Sequence, residues 1–289
     1  MSTIKPFTSL QKAHIASGEI YHKKFLDAAE YALGIKKLNY DPKQHWYFVG
    51  GAGIGKSTVI SSLAKQHKIP LVEFYGESSM NAFTVRLATA VYLSKGKRIY
   101  VWIDDCDSIF KDQASLSVMK GALNVDRNVL QWNKNLITQI TQYENSTNPN
   151  EQLIAEALRS YQIKGGVGVC IPTDNVTFII MSNHELAPSN PMPKSPRLID
   201  ESTIRDRIHY KAFIPDKNTM WGWVAFCALK YPLGGINKAM KHYLLDWMYE
   251  NWDRLASTSL REINDLAADT INFPNDYPDY WENRLKPKK

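Results

Sequence analysis

The chain is poor in cysteine and has no long hydrophobic run. Its 289 residues include three cysteines, Cys106, Cys170 and Cys227, which are widely spaced and odd in number. This spacing argues for a reducing compartment and against a disulfide framework or a zinc site. The longest apolar stretches, such as residues 221–229, are too short to cross a bilayer, and the first residues form no apolar signal-peptide core. We therefore expect a cytoplasmic protein with no membrane partner.

Acidic residues are in the minority. The 35 lysines and arginines exceed the 29 aspartates and glutamates, which gives a formal net charge of +6. A basic surface permits binding to a polyanion such as nucleic acid, but a solvated surface explains the same charge. The chain also has no internal repeat and no long low-complexity tract. Its length allows one large core and a small satellite domain.

The stretch from Gly50 to Thr58 fits the phosphate-binding pattern G-x-x-x-x-G-K-[ST] at every fixed position. A short buried strand is predicted before it, at 45–49, and a helix after it, at 58–67. Glycines let the backbone close around a triphosphate, with the amide groups directed at the anion. Lys56 can reach the β- and γ-phosphates, and Ser57 can hold a magnesium ion. The candidate nucleotide-binding residues are Gly50, Gly51, Ala52, Gly53, Ile54, Gly55, Lys56, Ser57 and Thr58.

Two further predicted strands end in polar side chains. The apolar run 98–105 ends in Asp104 and Asp105, which a buried parallel strand would place beside the glycine loop. Asp104 would bind magnesium through water, and Asp105 would polarise the attacking water. A simple turn after the strand is the alternative, and Asp107 is a spare acid that suits a cap. The strand 175–183 ends in Asn183, which would orient the same water.

An insertion separates these two strands. Helices are predicted at 111–123 and 151–160, with a polar stretch between them that is rich in asparagine, glutamine and threonine. Residues 161–172 contain two short β-like arms around a glycine pair, which predicts a hairpin with Lys164 at its tip. Residues 111–172 carry six lysines and arginines and five acids, so the insertion is nearly neutral.

The ends of the chain are predicted to be helical or irregular. A helix at 17–37 either walls a nucleotide pocket or only packs against the core. After residue 216 the pattern predicts helices alone, the last of them capped by Ser257 to Ser259 and carrying Arg261. We expect residues 273–289 to be largely irregular. The predicted organisation is an N-terminal segment, a nucleotide-binding domain, a helical lid and a tail, at residues 1–44, 45–215, 216–272 and 273–289.

Taken together, these motifs resemble those of the AAA+ ATPases, in the order in which that family has them. Residues 50–58 resemble the Walker A motif, residues 99–105 Walker B, and Asn183 sensor one. Arg261 resembles the sensor-two arginine, and Arg207 the arginine finger, with Arg205 in reserve. The resemblance implies an α/β fold, in which helices sandwich a parallel sheet and a small all-α lid follows. It also implies ATP and Mg²⁺ as ligands and a homo-oligomeric ring, such as a hexamer.

One departure concerns the acidic pair. Most family members have Asp-Glu where this chain has Asp104-Asp105. The shorter carboxylate must approach its water more closely, which favours slow hydrolysis. Asp-Asp occurs among helicase loaders and viral helicases, and the insertion before Asn183 resembles the pre-sensor-one hairpin clade. That likeness suggests a phage- or plasmid-type ATPase in bacterial or host-cell cytoplasm that works with partner proteins.

Two classes of function fit the sequence, with a third as a weaker alternative. A nucleic-acid motor, helicase or loader would use Lys164 to contact phosphates. A protein remodeller would need an aromatic pore loop after the second strand, for which Phe74-Tyr75-Gly76 has the right residues but lies at the predicted strand end. A nucleotide-dependent scaffold is the third. The sequence leaves the choice among DNA, RNA and protein open.

Overall fold

The computed structural model describes residues 6–39, 43–76, 78–105, 113–188, 195–255 and 257–286. Cys106 and Asp107 lie outside these ranges. The chain divides into two compact units, the larger with residues 29–50 and 57–212 and the smaller with the remaining described residues. Cys170 and Cys227 form no disulfide. No helix in the described ranges is both long and apolar enough to span a membrane.

A five-stranded sheet forms the centre of the larger unit. In spatial order its strands are β2, β3, β6, β1 and β7, and the β2–β3, β3–β6 and β6–β1 pairs are parallel. The central strand β6 and its neighbour β1 are buried along their whole length. Such burial is typical of parallel strands that are covered on both faces of the sheet. The strands found in the described ranges are β1 Trp46–Gly50, β2 Leu71–Tyr75, β3 Ile99–Asp104, β4 Val129–Trp132, β5 Val169–Pro172, β6 Val176–Ser182 and β7 His209–Phe213.

Eleven helices are present in the described residues. Side chains of Ser79, Asn148, Ser195, Asp216, Asn237 and Ser259 accept hydrogen bonds from the first turns of six of them, which explains where these helices begin. The helices are α1 Ser9–Ala32, α2 Lys56–Gln66, α3 Met80–Ser94, α4 Gln113–Ala122, α5 Ile137–Glu144, α6 Pro149–Ser160, α7 Pro196–Arg207, α8 Lys217–Lys230, α9 Lys238–Asn251, α10 Leu260–Asn272 and α11 Tyr277–Asn283. The predicted fold, a parallel sheet with flanking helices and a helical C-terminal region, is confirmed.

The insertion between β3 and β6 is more ordered than its composition predicts. It contains α4, β4, α5, α6 and β5, of which β4 and α5 were not predicted. The prediction of a hairpin at 161–172 is only partly correct, because β5 forms its continuous antiparallel pairing with β4 and not with residues 161–163. Residues 161–163 meet β5 through a single bridge between Gln162 and Val169. Burial explains the difference, since Val169 and Ile171 face the core and pair with Trp132 and Leu130 of β4, which are buried too. Lys164 lies in the exposed turn, as expected.

In the smaller unit, the C-terminal helices and the first part of α1 share a core. Phe7 and Ile15 pack against the cluster that α8, α9 and α10 form. Two predictions are wrong here: α1 begins at Ser9, eight residues before the predicted start, and the segment expected to be irregular contains α11. Trp281 on α11 is 1% exposed and donates from Nε1 to the carbonyl of Leu266, and this burial orders the segment.

Two glycines bring α1 and α8 into close contact. A Cβ added to Gly222 would lie 1.8 Å from the carbonyl oxygen of His14, and one added to Gly18 would lie 2.1 Å from the carbonyl carbon of Gly222. Neither distance is compatible with a side chain of any size, because the obstructing atoms belong to the backbone. The two helices can therefore pack at this distance only with glycine at both positions.

We expect Gly222→Ala to destabilise the protein by at least about 2 kcal/mol, as overpacking against a rigid neighbour does. The higher helix propensity of alanine would offset only about 1 kcal/mol of this destabilisation. Denaturant unfolding measures the difference. The control is Gly121→Ala on α4, whose Cβ would meet its nearest atom at 3.3 Å. Equal stability of Gly222→Ala and wild type would show that α1 does not pack on α8 in this way.

Candidate nucleotide site

The phosphate-binding loop connects β1, which ends at Gly50, to α2, which begins at Lys56. Gly53 and Gly55 have φ angles of 73° and 83°, a left-handed conformation that favours glycine. Ile54 between them is 1% exposed and anchors the loop. The first amide groups of α2 have no acceptor within the helix, so they are suited to bind an anion. The local structure is the strand, loop and helix that the sequence predicts.

Lys56 is buried within this loop. Its side chain is 6% exposed, and Nζ donates to the carbonyl oxygen of Gly51 at 3.1 Å. A carbonyl is a neutral partner, and a phosphate oxygen would form a stronger, charge-assisted bond with the same ammonium group. The ammonium group of Lys56 is therefore already positioned at the loop that would receive the phosphates.

The start of α10 contacts the same loop. The backbone N–H of Leu260 donates to the carbonyl of Gly53 at 3.0 Å, and a Cβ on Gly53 would lie 2.7 Å from Cβ of Ser259. The distance from the Cβ added to Gly53 to Cβ of Arg261 would be 3.6 Å, so the predicted sensor-two arginine is close to the loop. Sequence reasoning assigned Ser259 to capping alone and gave Leu260 no role. The one sequence feature that indicates so close an approach of α10 to the loop is the small side chain of Ser259.

The acidic pair and Asn183 lie together at the carboxyl edge of the sheet. Asp104 is the last residue of β3 and is 7% exposed, and Met181 of β6 pairs with it in register. Asp105 follows with φ 51°, and its N–H donates to the carbonyl of Met181 at 3.3 Å. Nδ2 of Asn183 donates to Oδ1 of Asp105 at 3.4 Å. The two side chains predicted to act on one water are thus hydrogen-bonded to each other.

The chemistry of these side chains suits Mg²⁺. Carboxylate and hydroxyl oxygens are hard ligands, and Mg²⁺ usually binds one or two of them together with substrate phosphates and water. Among the described residues no group of three or more His, Cys, Asp or Glu side chains could hold a metal ion. The carboxylate of Asp104 and the hydroxyl of Ser57 therefore fit an ion that phosphate oxygens would also hold.

The segment after Asn183 is fixed by buried Glu201 on α7. Glu201 accepts hydrogen bonds from Arg197 at 2.9 Å and from the N–H of Ala187 at 3.2 Å, and lies 3.3 Å from Nε2 of His184. Burial raises the pKa of Glu201, but these hydrogen bonds outweigh burial and hold the pKa below its usual value. The Tyr47 hydroxyl donates to the carbonyl of His184 at 2.9 Å. This network fixes the backbone next to Asn183.

The two candidate finger arginines have different surroundings. Arg207, the last residue of α7, donates to the carbonyl of Lys120 on α4 at 2.6 Å. Arg205 donates to the carbonyl of Leu186 at 2.9 Å, and its guanidinium lies 4.1 Å from the centre of the Tyr210 ring. Lys120 also forms a salt bridge with Asp200, to which Gln113 and Ser117 of α4 donate as well, so α4 and α7 are joined by several polar contacts. Sequence reasoning missed Lys120, because no motif marks it.

Comparison with known proteins agrees with this geometry. No curated protein matches the chain. The model of the ATPase family associated with various cellular activities (AAA) matches residues 46–215, which include the phosphate-binding loop, the acidic pair, Asn183 and both candidate finger arginines. Because this match covers more than half of the chain, the protein belongs to the AAA family of ATPases.

Proposed function

We propose that the chain hydrolyses ATP with Asp105 as the carboxylate that activates water and Asn183 as the residue that orients it. The hydrogen bond of 3.4 Å between the two side chains carries this proposal. Asp105 stands directly after Asp104, at the sheet edge where β1 leads into the phosphate-binding loop. A carboxylate oriented by an amide is suited to activate water for attack on a γ-phosphate.

In this proposal the loop residues 50–58 bind the triphosphate of ATP, with Lys56 on the β- and γ-phosphates. Ser57 and Asp104 would hold Mg²⁺. When bound, the ion neutralises charge that develops on the phosphates. Arg261 would contact the nucleotide of its own subunit, since its Cβ would lie 3.6 Å from a Cβ added to Gly53. Arg207 would act on the nucleotide of a neighbouring subunit in a homo-oligomeric ring.

The proposed substrate is nucleic acid or a nucleoprotein complex, as for a helicase, translocase or loader. Lys164 supports this, since it is exposed in the turn at 163–168 of the insertion. The protein-remodeller alternative needs exposed aromatic residues in a loop after β2. Phe74 is fully buried against Phe83, and Tyr75, although exposed, is the last residue of β2 and not part of a loop. These positions favour the nucleic-acid alternative over the protein remodeller.

The test is the rate of ATP hydrolysis with and without DNA. We expect stimulation by DNA, together with DNA binding that weakens as salt rises. Lys164→Ala should lower the slope of log affinity against log salt by about one unit, because one lysine neutralises about one phosphate. Lys211→Gln on β7 is the control for loss of an exposed charge. A rate that responds to unfolded protein but not to DNA would favour the remodeller, and a rate that responds to neither would favour the scaffold.

A further inference from the structure

The sheet edge opposite the acidic pair is rich in positive charge. Five exposed cations lie where α2 and α3 end and where β2 and β3 begin. We call them the amino-edge cluster: Lys65, Lys68, Lys95, Lys97 and Arg98. None of these five residues belongs to the predicted nucleotide site. Lys164, the predicted DNA contact, is not part of the cluster. They include about one in seven of the 35 lysines and arginines of the chain.

The fold brings the two loops of this cluster together. β2 and β3 are parallel neighbours, with Leu71 paired to Tyr100, so both strands begin at the same edge. Adjacent strands lie about 4.8 Å apart, which places residues 67–70 beside residues 95–98. Backbone hydrogen bonds fix both loops, from Ile69 N–H to the carbonyl of Ala64 at 2.8 Å and from Lys97 N–H to that of Ser94 at 3.0 Å. The cations are therefore held on ordered backbone.

Two of the lysines occupy positions where glycine is usual. Lys68 and Lys95 follow the ends of α2 and α3 and have left-handed φ angles of 53° and 49°. Lys68 completes a C-terminal capping motif, with its own N–H bonded to Lys65 and that of Ile69 to Ala64. A side chain strains the backbone in this conformation, and glycine would relieve the strain. Lysine at both positions, in adjacent loops, suggests that the charge has a use that outweighs this strain.

The surroundings favour contact with phosphates over contact with bases. Two acids lie in this region: Asp174, which lines the same cavity as Gly96, and Glu156, which accepts a hydrogen bond from Tyr92. Tyr92, Tyr100 and Tyr161 are aromatic residues of this region, and all three are partly buried. Proteins that bind single strands stack bases on exposed aromatic rings. Cations without such rings suit the regular phosphate backbone of a duplex.

We propose that the amino-edge cluster binds the phosphate backbone of duplex nucleic acid without regard to sequence. This inference rests on the proposed function for the class of its partner, and it adds a second contact surface to Lys164. Its position separates the two activities, because the duplex would bind at one edge of the sheet while Asp104, Asp105 and Asn183 lie at the other.

The backbone strain at Lys68 and Lys95 permits a test in which weaker binding cannot be explained by unfolding of the variant. The double variant Lys68→Gly/Lys95→Gly removes two charges and places the preferred residue at both positions, so thermal unfolding should be unchanged or occur at higher temperature. Binding to a short duplex of mixed sequence should weaken, and the slope of log affinity against log salt should fall by about two units. Lys68→Arg/Lys95→Arg is the matched variant that keeps both charges and should keep the wild-type slope.

Other outcomes separate this proposal from the proposed function. If wild type binds the duplex and the glycine variant binds it with the same slope, the amino-edge cluster is not a contact surface, and the proposed function stands. If wild type binds no DNA and its ATP hydrolysis does not respond to DNA, both proposals fail. Binding of wild type to anionic phosphatidylserine vesicles but not to duplex would also overturn the inference, since the partner would then be a membrane surface.

Discussion

Replacing Asp105 by asparagine is expected to preserve ATP binding and to reduce hydrolysis by about 10²–10⁴-fold, the usual contribution of a general base. An amide cannot accept the proton of the attacking water, whereas Lys56 and the loop glycines remain in place. Asparagine also tolerates the left-handed conformation of Asp105 and still offers an oxygen to Asn183, so the variant should fold normally. Equilibrium nucleotide binding and single-turnover hydrolysis measure the two effects separately.

The control for this prediction is Asp107→Asn, two residues further on. The sequence predicts a capping role for Asp107 and no catalytic role, and this residue lies outside the described ranges. We expect Asp107→Asn to hydrolyse ATP at the wild-type rate. Normal hydrolysis by Asp105→Asn together with loss of hydrolysis in Asp107→Asn would show that the assignment of the catalytic carboxylate is wrong. Asn183→Ala should reduce hydrolysis less than Asp105→Asn, because it removes only the orienting bond.

Arg207→Ala is the second substitution with a large expected effect. An arginine inserted beside the γ-phosphate contributes about 10³–10⁵ in rate, because phosphoryl transfer develops negative charge that one subunit's loop only partly neutralises. Arg207 also donates to the carbonyl of Lys120, so a purely structural role is the alternative. Loss of that hydrogen bond would lower the free energy of unfolding by only about 1–3 kcal/mol and would leave the rate per folded molecule nearly unchanged.

A mixing experiment decides between these two roles. Lys56→Ala lacks the loop cation but keeps Arg207, and Arg207→Ala has the opposite defect, so each should be inactive alone. In a randomly mixed ring about a quarter of the interfaces would join an intact loop to an intact arginine, because each interface takes the two groups from different subunits. Partial recovery of ATP hydrolysis is therefore expected. An inactive mixture of variants that still assemble, or full activity of an isolated wild-type monomer, would contradict action in trans.

Most of the nucleotide-binding half could be predicted from the sequence. Strands β1, β3 and β6 were expected within about one residue of their observed positions, because each is a short apolar run bounded by turn residues. The acidic pair and Asn183 could be placed together because the carboxyl ends of neighbouring parallel strands meet at one edge. Boundaries failed where composition conceals burial, as in α11, which Trp281 orders. Strand β4 and helix α5 were missed for the same reason, since they lie in a stretch rich in asparagine, glutamine and threonine that conceals the buried side chains of Leu130, Trp132 and Ile140.

Local pattern alone predicted the glycine loop between strand and helix, the helix cap at Ser259 and the polar ends of the strands, because each depends on residues within one turn or one strand. Contacts between distant segments could not be read in this way. The hydrogen bond from Leu260 to Gly53, the bond from Arg207 to Lys120 and the pairing of β4 with β5 each join residues tens to hundreds of positions apart. The close crossing at Gly18 and Gly222 is of the same kind. A glycine or a lysine does not encode its partner, since that partner depends on how the whole chain packs.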